Sequence, residues 1–241
     1  MKIKDSVVFV TGASRGLGLA FAREALARGA AKVYAGVRNP EGFSESGIIP
    51  VKLDVTDPGS IIAAAEAASD VTLLINNAGI AEIVGSPFSE ETEDQARRLF
   101  ETNYYGLMRT TRAFQSSLPG NGTAGIINVL SDVTWRAVPT LTPYSASKAA
   151  AWSYTNNIRI QLKARDIQVI GLHVGFVDTD LTKGFDVPKS DPLDVVRQAY
   201  DALEAGESEV LADAGTRALK QTLSARVPGY VDPEILEARH A

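Results

Sequence analysis

Seven short hydrophobic runs, rich in Val and Ile, are spaced along the 241-residue chain. Most of them lack the strict alternation of apolar and polar residues that a half-exposed strand shows. Such runs are typical of strands that are buried on both faces of a sheet. The predicted strands cover residues 7–10, 32–37, 49–53, 71–75, 125–130, 168–174 and 209–212.

Helical patterns separate these runs. Leu17, Phe21 and Ala25 form one apolar stripe, and Gly29 is placed to end that helix. A longer helix is predicted from a capping box at residues 92–95, Thr-Glu-Asp-Gln. Its apolar stripe continues through Leu99, Asn103, Leu107, Thr111, Phe114 and Leu118.

Two Asp-Pro pairs mark further helix starts. Asp57-Pro58 and Asp191-Pro192 each put Pro at a first helical position, where its missing N–H is not needed. Gly206 can close the second of these helices.

The alternation of strands and helices predicts an α/β fold: a single doubly wound parallel sheet, Rossmann-like, with right-handed crossovers and helices on both faces. The chain shows no internal repeat and no convincing linker. We therefore expect residues 1–241 to form one domain.

Composition excludes several function classes. The formal net charge of -5 argues against a nucleic-acid partner, and the absence of Cys rules out disulfides, thiolate metal sites and a Cys nucleophile. Neither histidine has a plausible metal cluster around it. No apolar run reaches the ~20 residues of a membrane span, and no signal peptide is evident at the N-terminus. We expect a soluble, cytoplasmic protein.

The most informative chemistry lies in Tyr144 and Lys148, with Ser131 thirteen residues upstream of the tyrosine. Residues four apart share one face of a helix, and a nearby ammonium lowers the pKa of a phenol by favouring the phenolate. Ser131 can hold a substrate oxygen beside that phenol. The three residues indicate proton transfer to or from a carbonyl or alcohol oxygen. The alternative is a surface Tyr and Lys on an ordinary helix.

A glycine-rich segment joins the first strand to the first helix: Gly12, Gly16 and Gly18 lie in the pattern Gly-x-x-x-Gly-x-Gly. Glycines let a backbone approach a pyrophosphate, and a helix N-terminus attracts it. The alternative is a tight strand-to-helix turn. Arg38 follows the second strand, and Arg15 can approach the same region. Two guanidiniums without an adjacent carboxylate suit the 2′-phosphate of NADP(H), unless both are merely solvated.

Taken together, these motifs give the chain a resemblance to the short-chain dehydrogenase/reductase family over nearly its whole length. The resemblance implies the following positions. Cofactor contacts are Gly12, Ser14, Arg15, Gly16, Gly18, Arg38, Asp54, Val55, Asn77, Ala78, Gly79, Tyr144, Lys148, Gly175, Val177 and Thr179. Catalytic residues are Ser131, Tyr144, Lys148 and Asn103. Val174 stands where the family usually has Pro, so the backbone beside the nicotinamide is expected to be less fixed.

The resemblance implies hydride transfer between the nicotinamide and a ketone or aldehyde, with Tyr144 as the proton donor and Ser131 orienting the oxygen. Asn103 would support a proton-relay water, and Lys148 would bind the nicotinamide ribose. It also implies a homodimer or homotetramer, in which residues 99–118 and the helix carrying Tyr144 pack against their symmetry mates. In this interface Trp152 would be a large apolar anchor. The alternative function is a non-catalytic NADP(H)-sensing or binding protein on the same fold.

Overall fold

The computed structural model describes residues 1–120 and 122–233, and its seven named strands form one parallel sheet. The strands are β1 (Val7–Thr11), β2 (Lys32–Val37), β3 (Ile49–Lys52), β4 (Leu73–Asn76), β5 (Ala124–Val129), β6 (Ile167–His173) and β7 (Glu209–Leu211). Their order across the sheet is β3-β2-β1-β4-β5-β6-β7. The first and last residues of each predicted strand lie within two residues of those of an observed strand.

Helices cover both faces of the sheet, which confirms the predicted doubly wound architecture. They are α1 (Gly16–Ala27), α2 (Pro58–Ala67), α3 (Thr92–Phe100), α4 (Leu107–Phe114), α5 (Thr142–Lys163), α6 (Pro192–Ala205) and α7 (Ala214–Thr222). On one face, α1 packs against α6, and Phe21 meets Tyr200 edge to face in a core of buried aliphatic residues. On the other face, α2, α4 and α5 bury Ile61, Phe114 and Leu162 against the sheet.

Both Asp-Pro helix starts are confirmed. The Asp57 carboxylate accepts a hydrogen bond from the Gly59 N–H at 2.9 Å. Asp191 accepts from the N–H groups of Leu193 and Asp194, at 2.8 and 3.1 Å. These side chains satisfy donors that a helix N-terminus otherwise leaves without a partner.

The predicted capping box at Thr92 is wrong. Thr92 is the first helical residue of α3, and Glu91 precedes it without a side-chain capping bond. The Gln95 N–H donates to the Glu91 carbonyl at 3.1 Å, so it does not need the threonine hydroxyl. That hydroxyl instead donates to the Ser86 carbonyl at 3.0 Å and ties the helix to the preceding loop.

A π-helical segment, Glu101–Gly106, joins α3 to α4 and was not predicted. The predicted stripe is nevertheless buried, from Leu99 to Leu118. Within the π-helical segment, Gly106 packs directly on Val55: a Cβ on this glycine would lie 2.9 Å from a methyl carbon of Val55. The long helix therefore approaches the segment after β3 closely.

The face predicted to meet another subunit is partly used within the chain. Ala151 is fully buried, and Trp152 meets the ring of Trp135 at a right angle, with centroids 5.9 Å apart. Trp152 is therefore partly buried within its own chain, and its role as an anchor between subunits stays a prediction.

The strands β1 and β4 lie side by side, and the strand order runs in opposite directions from this pair: through β2 to β3 on one side and through β5 to β7 on the other. In open parallel sheets, a crevice forms outside the carboxyl ends of the strands at such a switch point. The glycine-rich segment after β1 and residues 77–79 after β4 meet at this crevice.

Candidate active site

A cleft of about 430 Å³ runs along the carboxyl ends of the strands. It is lined by every residue predicted to contact the cofactor: Gly12, Ser14, Arg15, Gly16, Gly18, Arg38, Asp54, Val55, Asn77, Ala78, Gly79, Tyr144, Lys148, Gly175, Val177 and Thr179. Ser131 lines it too, whereas Asn103 lies behind its wall.

The glycine-rich segment forms one end of the cleft and has no room for side chains. Gly12 has a φ of 65°, and a Cβ there would lie 2.9 Å from the Ala78 Cα. A Cβ on Gly18 would lie 2.4 Å from the Gly12 carbonyl oxygen. The two glycines thus allow the backbone after β1 to fold tightly over the start of α1, with its surface open to the cleft.

Thr11 and Asn77 join the two backbone segments at this end. The buried Thr11 hydroxyl accepts hydrogen bonds from the N–H groups of Asn77 and Ala78, both at 2.9 Å. In return, the Asn77 amide donates to the carbonyls of Thr11 and Gly12, at 2.9 and 3.2 Å. These four bonds hold the segments after β1 and β4 in fixed register.

Charged side chains lie beside the glycine-rich segment. Arg38 is exposed directly after β2. The Asp54 pKa is lowered, first by hydrogen bonds from Thr56 and to a smaller degree by the Arg38 charge. Arg15 pairs with Asp180 at 3.3 Å, and both side chains are largely exposed. Because exposed ion pairs contribute only about 0–1 kcal/mol, an anion in the cleft can compete with Asp180 for this guanidinium.

At the opposite end, α5 brings the Tyr144 phenol near the Ser131 hydroxyl, which acts to lower the pKa of the phenol. The Lys148 Nζ lies 5.8 Å from the centre of the tyrosine ring and donates to the Val129 carbonyl at 3.0 Å. Tyr144 and Lys148 therefore share one face of α5, as predicted. Together, α5 and the end of β5 bring these two side chains close to Ser131.

The prediction that Lys148 lowers the pKa of Tyr144 is wrong for this structure. Burial raises the Tyr144 pKa to about 12, the nearby Ser131 hydroxyl opposes this rise, and the charge of Asp132 adds to it. Burial also lowers the Lys148 pKa, to about 8. Desolvation disfavours the charged form of each group and is the first cause of both pKa shifts.

Asn103 cross-links three elements from within the π-helical segment. Its amide nitrogen donates to the Ile80 carbonyl at 2.9 Å and to the Ser147 hydroxyl at 3.0 Å. Its amide oxygen accepts from the Ile80 N–H at 2.9 Å. Because Ser147 precedes Lys148, these bonds fix the part of α5 that carries Tyr144 and Lys148 to the chain that follows β4.

The backbone at Val174 and Gly175 is held from both sides. The Asp132 N–H donates to the Val174 carbonyl at 3.1 Å. The Gly175 N–H donates to the Asp213 carboxylate at 2.8 Å. Asp213 itself is fixed as the N-cap of α7, where it accepts from the Thr216 N–H. The conformational freedom expected from Val174 is thus opposed by two hydrogen bonds.

Sequence reasoning missed Asp132 as a cleft residue. Its carboxylate contacts the Ser131 hydroxyl at 3.3 Å and the Arg136 Nε at 2.8 Å. Burial raises the Asp132 pKa, although Arg136 opposes this effect. An acidic residue directly after Ser131, the predicted catalytic serine, was the available signal.

Aromatic residues divide between the cleft and the core. Phe176 and Phe185 line the cleft, with ring centres 5.0 Å apart. Trp135 instead stacks on His173 at 4.0 Å. His173 is fully buried, burial lowers its pKa to about 4, and its Nδ1 contacts the Ser131 carbonyl at 3.2 Å. These contacts are those of a buried structural histidine. The second histidine of the chain, His240, lies outside the described residues.

Within 1–120 and 122–233, no group of three or more His, Cys, Asp or Glu side chains is placed to hold a metal ion. Over the same residues, none of the helices is both long enough and apolar enough to cross a membrane.

The chain is similar to known oxidoreductases. The family model for short chain dehydrogenases matches residues 6–189. Galactitol 2-dehydrogenase of Agrobacterium fabrum is 32% identical over 188 residues, a match that covers 74% of this chain and 73% of that protein. The probable oxidoreductase EphD of Mycobacterium tuberculosis is 32% identical over 241 residues, and 90% of this chain corresponds to only 40% of that relative.

Solved structures show the same architecture. A short chain dehydrogenase from Burkholderia cenocepacia, crystallised in complex with NADP, superposes with a TM-score of 0.89 and 38% identity, covering 99% of this chain and 98% of the other. An enzyme from Burkholderia phymatum in complex with NAD superposes with a TM-score of 0.78. At 22% identity over 92% of this chain and 95% of the other, the second similarity concerns the fold alone.

Proposed function

The chain belongs to the short-chain dehydrogenase/reductase family, whose fold binds a nicotinamide cofactor, and on this premise we propose that it is an NADP(H)-dependent oxidoreductase that interconverts a ketone or aldehyde and an alcohol. One observation carries the proposal. Tyr144, Ser131 and Lys148 meet at one end of a cleft whose other end is the glycine-rich segment. A cofactor bound along the cleft would reach from the glycine-rich segment to these three side chains.

The cleft fits a dinucleotide by its backbone as well as its side chains. Gly12 and Gly18 leave an uncovered backbone at the start of α1, where partial positive charge favours a pyrophosphate. Asp54 and Val55 would hold the adenine, and the segment from Gly175 to Thr179 would hold the nicotinamide. When bound, the cofactor supplies or accepts the hydride.

The preference for NADP(H) over NAD(H) rests on Arg38 and Arg15. Arg38 stands after β2, where NAD-selective sites of this type place a carboxylate on the ribose 2′-hydroxyl. Arg15 would leave its exposed pair with Asp180 to reach the 2′-phosphate. The complex of the Burkholderia cenocepacia neighbour with NADP supports this choice.

In carbonyl reduction, Tyr144 gives its hydroxyl proton to the substrate oxygen as the carbon accepts the hydride. An alkoxide is a stronger base than a phenolate, so a tyrosine whose pKa is about 12 still transfers its proton downhill. Ser131 hydrogen-bonds the same oxygen and orients it. In oxidation, the phenolate takes the proton back.

Lys148 and Asn103 would supply position and proton exchange. With a pKa lowered to about 8, Lys148 can both carry and release a proton near neutral pH. Its contact with the Val129 carbonyl keeps the ammonium near the tyrosine ring, where it would bind the nicotinamide ribose. Asn103 holds α5 against the chain at Ile80 and would support the water that returns the proton.

The second candidate is an NADP(H)-sensing protein without catalysis, a different class on the same fold. It needs the nucleotide end of the cleft but not Ser131, Tyr144 and Lys148. The discriminating experiment is NADPH consumption with a panel of ketones, aldehydes and oxidised sugars, and NADP⁺ reduction with the matching alcohols and polyols. Saturable turnover supports the enzyme, and tight NADPH binding without turnover across the panel supports the sensor.

A homodimer or homotetramer would hold α5 rigid and so connect assembly with activity. Tyr105 is exposed on the π-helical segment, and Tyr104 contacts both Tyr105 and Tyr154 of α5. Because Trp152 is partly buried within its own chain, we propose this tyrosine cluster as the centre of an interface between copies.

A further inference from the structure

The cleft has an apolar wall near Ser131 and Tyr144. Apolar side chains from three segments of the chain form it: Ile80 and Ala81 after β4, Val133 and Leu141 after β5, Phe176 and Phe185 after β6. The function proposed above requires a carbonyl group but does not say what the carbonyl is attached to. The substituent has to suit this wall.

The segments after β4 and β5 meet beside the reacting groups. The Val84 N–H donates to the Thr140 carbonyl at 2.9 Å, so the chain after β4 lies against the turn that leads into α5. A Cβ on Gly79 would lie 3.6 Å from the Lys148 Nζ. Ile80, which follows this glycine and lines the cleft, is therefore a neighbour of the reacting groups.

The segment after β6 crosses the cleft. A Cβ on Gly175 would lie 3.7 Å from the Asp132 Cγ, and a Cβ on Gly16 would lie 3.3 Å from the Thr179 Cβ. Residues 175–179 thus run from the turn after β5 to the glycine-rich segment. Phe176, directly after Gly175, is at the end of this crossing that lies beside Ser131.

Phe176 and Phe185 form an aromatic corner in this wall. Their ring centres are 5.0 Å apart and their planes are tilted by 53°, and both residues are only half-buried. The Phe176 carbonyl accepts the Ser190 N–H at 2.8 Å, and the Phe185 N–H donates to the Thr182 carbonyl at 3.1 Å. These bonds fix the backbone under both rings, while part of the ring surface stays open to the cleft.

The same wall offers few partners to a substrate with many hydroxyl groups. In the described part of the chain, the charged residues that line the cleft are Arg15, Arg38, Asp54, Asp132, Lys148 and Asp180. Only two of these lie near the wall, and both are held: Asp132 accepts the Arg136 Nε at 2.8 Å, and Lys148 donates to the Val129 carbonyl at 3.0 Å. Hydroxyl groups placed here would lose water without full replacement, which is unfavourable.

We propose that the substrate is an aryl ketone or aryl aldehyde, whose ring packs in the Phe176–Phe185 corner while its carbonyl oxygen meets Ser131 and Tyr144. Packing the ring there removes apolar surface from water and allows tilted contacts between aromatic rings. The carbonyl carbon accepts the hydride from NADPH and the oxygen accepts the Tyr144 proton, which yields NADP⁺ and the corresponding aryl alcohol. This inference rests on the function proposed above and names the substrate class of the same site.

The first test compares three ketones with NADPH: acetophenone, acetone and dihydroxyacetone. Acetone replaces the ring of acetophenone by a methyl group, and dihydroxyacetone represents the polyhydroxylated class. For the wild type, kcat/KM for acetophenone is expected to exceed the other two values by at least about 10-fold, because only its ring reaches the corner. A wild type that prefers dihydroxyacetone would overturn the proposal.

The second test removes one side of the corner. Phe176→Ala should lower kcat/KM for acetophenone roughly 10-fold, mainly through KM, and leave acetone within about twofold. Phe185→Ala should act in the same direction and replaces Phe176→Ala if that variant does not fold. Phe88→Ala is the matched control, because Phe88 is 93% exposed and lies outside the cleft lining. A merely structural corner would instead lower kcat/KM for acetophenone and acetone alike.

A third readout does not depend on turnover. Acetophenone is added to the NADP⁺-loaded protein, which cannot reduce it, and saturation-transfer NMR follows its ring protons. The signal should be strong in the wild type and in Phe88→Ala, and several-fold weaker in Phe176→Ala and Phe185→Ala.

The outcomes separate the two claims. Wild-type kcat/KM for acetophenone and wild-type saturation transfer in both corner variants would overturn the aryl site while leaving the oxidoreductase intact. A wild type that reduces no ketone or aldehyde would overturn the proposed function. In that case, saturation transfer that is lost in the corner variants would still support binding of an aryl carbonyl compound at this wall.

Discussion

Gly18→Ala tests the nucleotide end of the cleft at its tightest point. The new Cβ would lie 2.4 Å from the Gly12 carbonyl oxygen and 2.5 Å from the Asn77 amide nitrogen. Contacts under 3.0 Å are essentially never seen, so the turn would have to open by at least about 0.6 Å. This movement also strains the hydrogen bond from Asn77 to Gly12.

The expected loss of affinity follows from this strain. Overpacking of one methyl group typically costs about 1–3 kcal/mol. The free protein can relax by moving the turn, but a bound pyrophosphate needs the turn in place. The strain therefore destabilises the complex relative to the free protein, and the Kd for NADPH is expected to rise roughly 5- to 150-fold.

Fluorescence titration with NADPH measures this Kd, and thermal unfolding checks that the variant is folded. Gly59→Ala is the matched control, because Gly59 also lies in the first turn of a helix, but its Cβ would meet only Asp57 Oδ1 at 3.4 Å. We expect wild-type affinity for this control. If folded Gly18→Ala bound NADPH as tightly as the wild type, the turn would not be the pyrophosphate site.

Two further predictions concern cofactor choice and assembly. Arg38→Asp should lower kcat/KM with NADPH and relatively favour NADH, because a carboxylate repels a 2′-phosphate and accepts a hydrogen bond from a 2′-hydroxyl; an unchanged ratio of the two kcat/KM values would exclude Arg38 as the phosphate contact. Light scattering at micromolar concentration, beside an activity assay, should find a dimer or tetramer. A strictly monomeric and fully active protein would contradict the link between assembly and activity.

The elements that depend on local pattern were predictable from sequence. Val- and Ile-rich runs identify buried strands because their side chains suit both faces of a covered sheet. Asp57 and Asp191 identify helix starts because an acidic side chain can accept hydrogen bonds from the first N–H groups of a helix, and the proline that follows suits the first helical position. The relation of Tyr144 to Lys148 follows from helical spacing alone.

Features that depend on packing were not predictable. The π-helical segment around Asn103 keeps the spacing of buried residues that an ordinary helix would show, so its altered hydrogen bonding leaves no trace in the pattern. The pKa of Tyr144 depends on how far burial removes it from water, which no spacing reveals. Thr92 resembles a cap, but the preceding residue already satisfies the Gln95 N–H.

Asp132 illustrates a different limit. The sequence shows an acid beside Ser131 and an arginine four residues later. Whether that pair is solvated or turned into the cleft depends on the path of the chain after β5. Only the fold, by placing α7 and Asp213 against this turn, makes the carboxylate part of the site.

The central claim is that Tyr144 passes a proton to the substrate oxygen, and Tyr144→Phe measures it most directly. The variant keeps the ring and removes only the hydroxyl, so NADPH binding should stay near the wild-type Kd. Turnover of a carbonyl substrate that the wild type reduces should fall by roughly 10²–10⁴-fold, the usual contribution of a positioned proton donor. Near-normal steady-state turnover by the variant, with NADPH bound as in the wild type, would contradict the account.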